Sequence, residues 1–208
     1  MKQERVLSLD ISTKTGWALL ISGPKDYRLE AYGKVEQVKC PEDVPYPISF
    51  VNWAYTCYQY IVDLIDQYYP DVLVIEETAS GSKSSHSQKI LEFIHFLVAK
   101  LIKETGIKAI YFMTGEWRNE TGCKMNKAEK MHNKEVRKYK KIHNVNMAYD
   151  KNGKRIGIIG RKHVNIRRAN EVFGSFLKTP LKKKDEDTAD SLMLAYCYHV
   201  RKLRGMYG

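Results

Sequence analysis

An α/β fold, with a five-stranded mixed sheet flanked by helices, is the fold class this 208-residue chain predicts. Three observations carry it. Residues 6–11, 17–21 and 27–38 are apolar or alternating runs with short links, too short for the crossover a parallel pair needs. Helical and strand periods then alternate through residues 49–113. A final helical pattern over 187–203 supplies one more apolar face.

Taken in order, residues 6–11 (Val-Leu-Ser-Leu-Asp-Ile) read as a buried strand. Thr15-Gly16 and Gly23-Pro24-Lys25-Asp26 are turns on either side of the second strand, and the third alternates. Residues 40–47, with three prolines, form a loop. Val51, Ala54, Tyr55, Tyr58, Ile61, Ile65 and Tyr69 fall at helical spacing over 49–69, and Pro70 stops the helix. Residues 71–76 are a continuous apolar run ending in Glu76, so this strand is central. Residues 78–85, rich in Gly, Ser and Lys, predict a mobile loop. A second helix covers 86–103 with Ile90, Ile94, Leu97, Val98 and Leu101 inward, and 107–113 is the fifth strand. In the last helix Ala189, Leu192, Met193, Tyr196, Val200 and Leu203 form the predicted buried face.

Between the fifth strand and that helix the pattern changes. Residues 126–143 are helix-competent but nearly all polar. Asn152-Gly153 is a hairpin signal. A basic helix spans 162–173, ended by Gly174. Residues 122–161 therefore read as a basic arm inserted in a single domain of residues 1–208, outside the core and ordered on binding.

Charge has the same geography. Residues 118–168 hold 16 Lys and Arg against 4 Asp and Glu, so this stretch alone is +12 and the rest of the chain sums to −1. A near-neutral body with one very basic stretch fits a polyanion such as DNA. The cations in line for phosphate contacts are Arg118, Lys124, Lys127, Lys134, Arg137, Lys138, Lys154, Arg155, Arg161, Lys162, Arg167 and Arg168, with Lys14 either at a phosphate or simply solvated. Cys40, Cys57, Cys123 and Cys197 have no metal-binding spacing and read as free thiols. With no signal peptide and no run long enough to span a membrane, the expected location is the cytoplasm.

The chemistry lies in the acids. Asp10 stands where a buried strand would carry an apolar residue; Glu76 ends an apolar strand; Asp187 and Asp190, three apart, share a helix face. Asp185 or Asp187 is also a natural helix cap, which leaves Asp190 unexplained. Carboxylates beside an apolar core are costly unless neutralised. Mg²⁺ with oxygen ligands would do so. Four such groups can hold two ions about 4 Å apart, the arrangement that hydrolyses phosphodiesters. Glu77 leaves the opposite face of its strand.

An Asp in the first strand followed by Ser12-Thr13-Lys14-Thr15-Gly16-Trp17-Ala18, Val74-Ile75-Glu76 closing the fourth, and Asp187-Thr188-Ala189-Asp190-Ser191-Leu192 opening the last helix resemble RuvC-type Holliday-junction resolvases of the ribonuclease-H-like superfamily. Trp117-Arg118 is similar to a pair found in phage-borne and related members. The resemblance implies a ribonuclease-H-like fold, Asp10, Glu76, Asp187 and Asp190 as catalytic metal ligands, Mg²⁺ or Mn²⁺, a homodimer, and paired nicks in four-way DNA junctions. The arm is a departure that leaves forks and flaps open as substrates. Two rivals remain at this level: an actin-like or sugar-kinase-type nucleotide-binding protein, read from the Asp10–Gly16 segment, and a catalytically silent DNA-binding module. Tyr149 is a candidate for base stacking and His86 for touching DNA; Trp117, His163 and His199 read as structural or surface residues.

Overall fold

The computed structural model describes residues 2–77, 85–150 and 152–207, and residues 85–87 by backbone alone. Residues 78–84 of the predicted 78–85 loop and the side chain of His86 lie outside the described residues, and Ser85 already belongs to a helix. β1 (Glu4–Asp10), β2 (Gly16–Ser22) and β3 (Tyr27–Lys34) form the antiparallel meander; β4 (Val72–Glu76) and β5 (Lys108–Phe112) add in parallel, giving the order β3-β2-β1-β4-β5. The architecture is the five-stranded mixed sheet flanked by helices that the sequence predicts.

Strand alternation divides the core between the two faces. Leu7, Leu9, Leu19, Leu73 and Ile75 point to one face, covered by α1 (Ile48–Tyr68) and α2 (Ser85–Thr105). Val6, Leu20, Val72, Val74 and Phe112 point to the other, covered by α3 (Thr114–Glu120), α5 (Arg161–Phe173) and α6 (Glu186–Leu203).

Two helices differ from expectation. In α1 the buried stripe is Phe50, Ala54, Cys57, Ile61 and Leu64, while Val51, Tyr55 and Tyr69 are exposed. Apolar residues occur on several sides of this helix, so two stripes satisfy the same period. Packing on α2 and the sheet selects one. α6 is buried almost all round rather than on one face, because the sheet, α3 and α5 enclose it; Leu203 is its exposed end.

Polar clamps hold α6 in register. Ser8 Oγ lies 2.7 Å from Ser191 O; Ser22 Oγ lies 2.9 Å from His199 Nδ1. Buried Lys202 reaches Glu4 at 2.8 Å and the carbonyls of Lys2 and Ser22 at 2.7 and 3.0 Å. Arg201 forks onto Glu116 and Glu120 at 2.5 Å each, fixing α3 against α6. Removing one partner of such a buried pair costs more than the pair contributes, since the other charge is left desolvated.

The basic segment is folded. α4 (Lys127–Ile142) begins with a capping box between Asn126 and Glu129. β6 (Ala148–Tyr149) and β7 (Arg155–Ile156) form the hairpin around Asn152-Gly153, whose Gly153 sits at φ +75°. Asp150 Oδ1 accepts from the amides of Asn152 and Lys154 at 2.9 Å each. Asn133 brackets Ile159, donating to its carbonyl at 2.9 Å and accepting from its amide at 2.8 Å. Val136 and Ala148 are buried here but belong to neither core cluster. Among the described residues the arm's ion-pair tie to the body is Arg167 to Glu129 at 2.9 Å.

Replacing residues 125–160 by a short Gly/Ser bridge is therefore expected to leave the sheet and α6 folded. Arg167 loses Glu129 but keeps Glu171 and the Lys124 carbonyl, so its charge stays paired; each kcal/mol lost would lower the melting temperature by about 2–4 °C at this chain length. A single cooperative melt by circular dichroism checks it; an unfolded variant would place the arm in the core.

Candidate metal centre

Parallel pairing brings the carboxyl ends of β1 and β4 to the same edge of the sheet, with Leu9 opposite Ile75. Alternation then sends Asp10, with Val6 and Ser8, and Glu76, with Val72 and Val74, to the face under α6. Glu77 follows on the other side, beside Glu92, His95 and Phe96 of α2.

α6 supplies the third acid because its first turn lies on β2. Asp10 pairs with Gly16 across the β1–β2 ladder. A Cβ at Gly16 would stand 2.1 Å from the Asp187 carbonyl oxygen and 2.9 Å from the Thr188 nitrogen. The Thr188 hydroxyl donates to Gly33 O at 3.1 Å on the adjoining strand. The rung that carries Asp10 thus also carries the glycine that lets the helix approach.

Carboxylate oxygens of Asp10, Glu76 and Asp190 lie within 4.8 Å of one another. Asp187, half-buried on the same helix, stands outside this cluster. Asp190 is 7% exposed. It accepts from Asn165 Nδ2 at 2.6 Å and Arg118 Nη2 at 3.3 Å. Burial pushes its carboxyl up to about 6 against the opposing pull of Asn165 and Arg118. Asp10 is raised well above the usual carboxylate range, first by burial and then by Asp190, Glu76 and Asp187. Among the described residues no donor reaches it. Asp187 is raised by burial, with Lys162, Lys34 and Lys14 pulling the other way. Glu76 accepts from the hydroxyl of Thr114, at the start of α3.

Three carboxylates gathered in a largely buried site repel one another, and a hard cation relieves that repulsion. Octahedral Mg²⁺ binds oxygens at about 2.0–2.1 Å, so opposite ligands stand about 4 Å apart. Three oxygens within 4.8 Å fit such an ion with little movement.

Of the cations expected at phosphates, four have internal partners. Arg118 lies on Asp190 and 4.8 Å over the Trp117 ring. Lys162 pairs with Glu186. Arg167 bonds Glu129, Glu171 and the Lys124 carbonyl; Arg168 bonds Glu171 and the Thr121 carbonyl. Lys14 is exposed on a turn that Ser12 and Thr15 hold with side-chain hydrogen bonds. Lys124, Lys127, Lys134, Arg137, Lys138, Lys154, Arg155 and Arg161 are exposed around the arm. Trp117 is fully buried.

Asn165 and Thr114 are the polar partners not anticipated. Asn165 is 1% exposed and shares the α5 stripe of Ala169 and Phe173, four and eight residues on. A polar residue on an apolar stripe is the same signal that singles out Asp10. Thr114 has no such mark. Asn165→Ala is expected to weaken divalent-cation affinity about 10–100-fold, the usual cost of losing a ligand's hydrogen-bond partner. Calorimetric titration with Mn²⁺ measures it; unchanged affinity would make Asn165 a packing residue only.

No protein-family model and no curated protein sequence matches the chain. Solved structures do. Thermus thermophilus RuvC in complex with Holliday junction substrate matches with a TM-score of 0.62 at 11% identity, over 97% of this chain and 96% of that one. Thermus thermophilus RuvC gives 0.61 at 13% identity, with coverage of 97% and 96%. The chain has the RuvC-type, ribonuclease-H-like fold. In this RuvC-type sheet the three carboxylates come from β1, β4 and α6, the segments that carry the sequence resemblance. No helix among the described residues is long and apolar enough to cross a membrane.

Proposed function

We propose that the protein is a metal-dependent, structure-selective endodeoxyribonuclease that resolves four-way junctions or related branched DNA. The observation that carries this reading is the trio Asp10, Glu76 and Asp190, oxygens within 4.8 Å, at the edge of a RuvC-type sheet beside a segment of charge +12. Asp10, Glu76 and Asp190 would hold Mg²⁺ or Mn²⁺, with Asp187 next to them for a second ion. When bound, the ions supply water activation and charge neutralisation at the phosphate. In the hydrolysis, water oxygen adds to phosphorus and one P–O ester bond breaks, leaving a phosphate monoester and a hydroxyl terminus.

This chain's own residues set the geometry. Asn165 and Arg118 hold the Asp190 carboxylate from two sides, and Thr114 orients Glu76. Lys14 and Lys34, which act on Asp187 electrostatically, mark the positive approach for a phosphate. A homodimer would set one site on each of two equivalent junction strands, giving paired nicks. The setting proposed is the cytoplasm of a bacterial or phage-infected cell.

The test is cleavage of labelled four-way junction, fork, flap and linear duplex with Mg²⁺, Mn²⁺ or EDTA, alongside ATP hydrolysis. Mg²⁺-dependent nicking of branched DNA above duplex is the expected result. ATP hydrolysis without nicking would favour the nucleotide-binding alternative. Junction binding without nicking in either metal would leave a silent binding module.

A further inference from the structure

α4 divides into two faces with different occupants. At 100° per residue, Glu129, His132, Asn133, Val136 and Tyr139 lie on one side. That side is anchored: Asn133 and Val136 are buried, His132 Nε2 lies 2.9 Å from Gly157 O, and Glu129 holds Arg167. Lys127, Lys130, Lys134, Arg137, Lys138 and Lys141 fall on the opposite side, within about 100° of arc. All six are exposed. Among the described residues, none has an ion pair or side-chain hydrogen bond, in contrast to Arg118, Lys162, Arg167 and Arg168. No acid shares this face: Glu129 is on the anchored side and Glu135 on the flank.

Like charges three and four residues apart repel along a helix. Here Lys127–Lys130, Lys130–Lys134, Lys134–Lys138 and Arg137–Lys141 are all such neighbours. The face is therefore suited to an extended polyanion. From Lys127 to Lys141 it spans about 21 Å at 1.5 Å per residue. At about 3.4 Å of axis per nucleotide, one DNA strand offers about six phosphates over that length.

We propose that this face of α4 is a docking ridge for the phosphate backbone of a DNA duplex, separate from the carboxylate site and independent of base sequence. It rests on the nuclease reading, and adds that α4 carries the affinity while α5 and Arg118 serve the metal centre. An anionic membrane is the poorer fit. A helix lying on lipid needs an apolar face free to insert, and the face opposite the cations is closed against the arm. Phosphate contacts fix orientation and supply salt-dependent affinity. An arm of branched DNA lying on α4 is thus held without the ridge touching the reacting phosphate.

The experiment measures binding of a four-way junction and a linear duplex from 50 to 200 mM salt in EDTA, then cleavage in Mg²⁺ at saturating protein. A variant with all six ridge cations changed to Gln is compared with one in which Lys2, Lys25, Lys39, Lys103, Lys178 and Lys182, exposed elsewhere, are changed. Both remove the same charge. The ridge variant should lower the log–log salt slope by about 5, at roughly 0.9 per lost contact, and weaken low-salt binding roughly 100-fold or more, with saturated cleavage unchanged. The control should lose little slope. A triple variant, Lys130→Gln with Lys134→Gln and Lys138→Gln, should lose about half as much slope and covers the case of a six-fold variant that fails to fold. Equal loss in ridge and control variants or an unchanged ridge slope would each overturn the ridge. Wild-type protein that binds no DNA would overturn the nuclease reading as well, so the two failures are distinct.

Discussion

Asp10→Asn is expected to lower Mg²⁺-dependent junction cleavage by on the order of 10³-fold or more and, at the same time, to raise the melting temperature of the metal-free protein. The first effect follows from removing a ligand of ions that contribute several kcal/mol to transition-state stabilisation, at 1.36 kcal/mol per tenfold in rate. The second follows from the raised Asp10 carboxyl. A group whose folded pKa lies above its unfolded value binds its proton more tightly when folded. Its cost is absent below the unfolded pKa, grows as pH rises through the interval between the two values, and is fully present above the folded one. Asparagine removes that cost without changing shape, so each kcal/mol relieved at pH 8 should appear as about 2–4 °C. At pH 3 the difference should vanish. Saturating Mg²⁺ should reverse the order of the two melting temperatures, since the wild type alone keeps the full ligand set. Glu76→Gln and Asp190→Asn should match the loss of cleavage. Asp187→Asn should lose less, about 10–100-fold, because its carboxylate stands outside the cluster. Glu77→Gln, on the opposite face, should change little. Near-normal cleavage by the Asp10 or Glu76 variant would sink the metal-site assignment.

Gly16→Ala should have the largest effect of any single methyl. The added carbon would stand 2.1 Å from the Asp187 carbonyl oxygen, and backbone rather than a flexible side chain is in the way. Either β2 or the first turn of α6 must move. Overpacking of this kind costs about 1–3 kcal/mol, or roughly 2–12 °C here. The functional loss should exceed the stability loss, because displacement of α6 carries Asp190 away from Asp10 and Glu76. A displacement near 1 Å can cost about 10²-fold in rate. Thermal melts and Mn²⁺ affinity, read together, separate the effects: a variant with wild-type metal affinity would show that the helix does not need this approach.

Much of the fold was legible because its signals are local. Short links force a meander, Pro70 stops α1, and the continuous apolar run of β4 requires cover on both faces. Asp10 was legible because it breaks an apolar alternation, and Glu76 because it closes an apolar strand. The α1 stripe was ambiguous because Val51 and Tyr55 satisfy the helical period as well as Phe50 and Cys57 do; only α2 and the sheet distinguish them. The arm is similar. Its polarity is visible in the sequence, but its capping box, the bracketing of Ile159 by Asn133 and the tie from Glu129 to Arg167 are contacts that composition does not express.

The order of the strands and helices apart from α3, the acids they carry and the concentration of charge in residues 118–168 were determined by the sequence alone, since periodicity, turn chemistry and charge are properties of neighbouring residues. Which acids meet was decided by the tertiary structure. Asp187 and Asp190 share a helix face, yet among the described residues Asp190 joins Asp10 and Glu76 in one cluster and Asp187, one turn earlier, stands outside it, while Gly16 lets that first turn of α6 lie against β2. Which cations remain free was decided there too. Arg118, Lys162, Arg167 and Arg168 find internal acceptors far away in sequence, whereas the α4 face has none among the described residues, and such pairings depend on distances that exist only once the chain is folded.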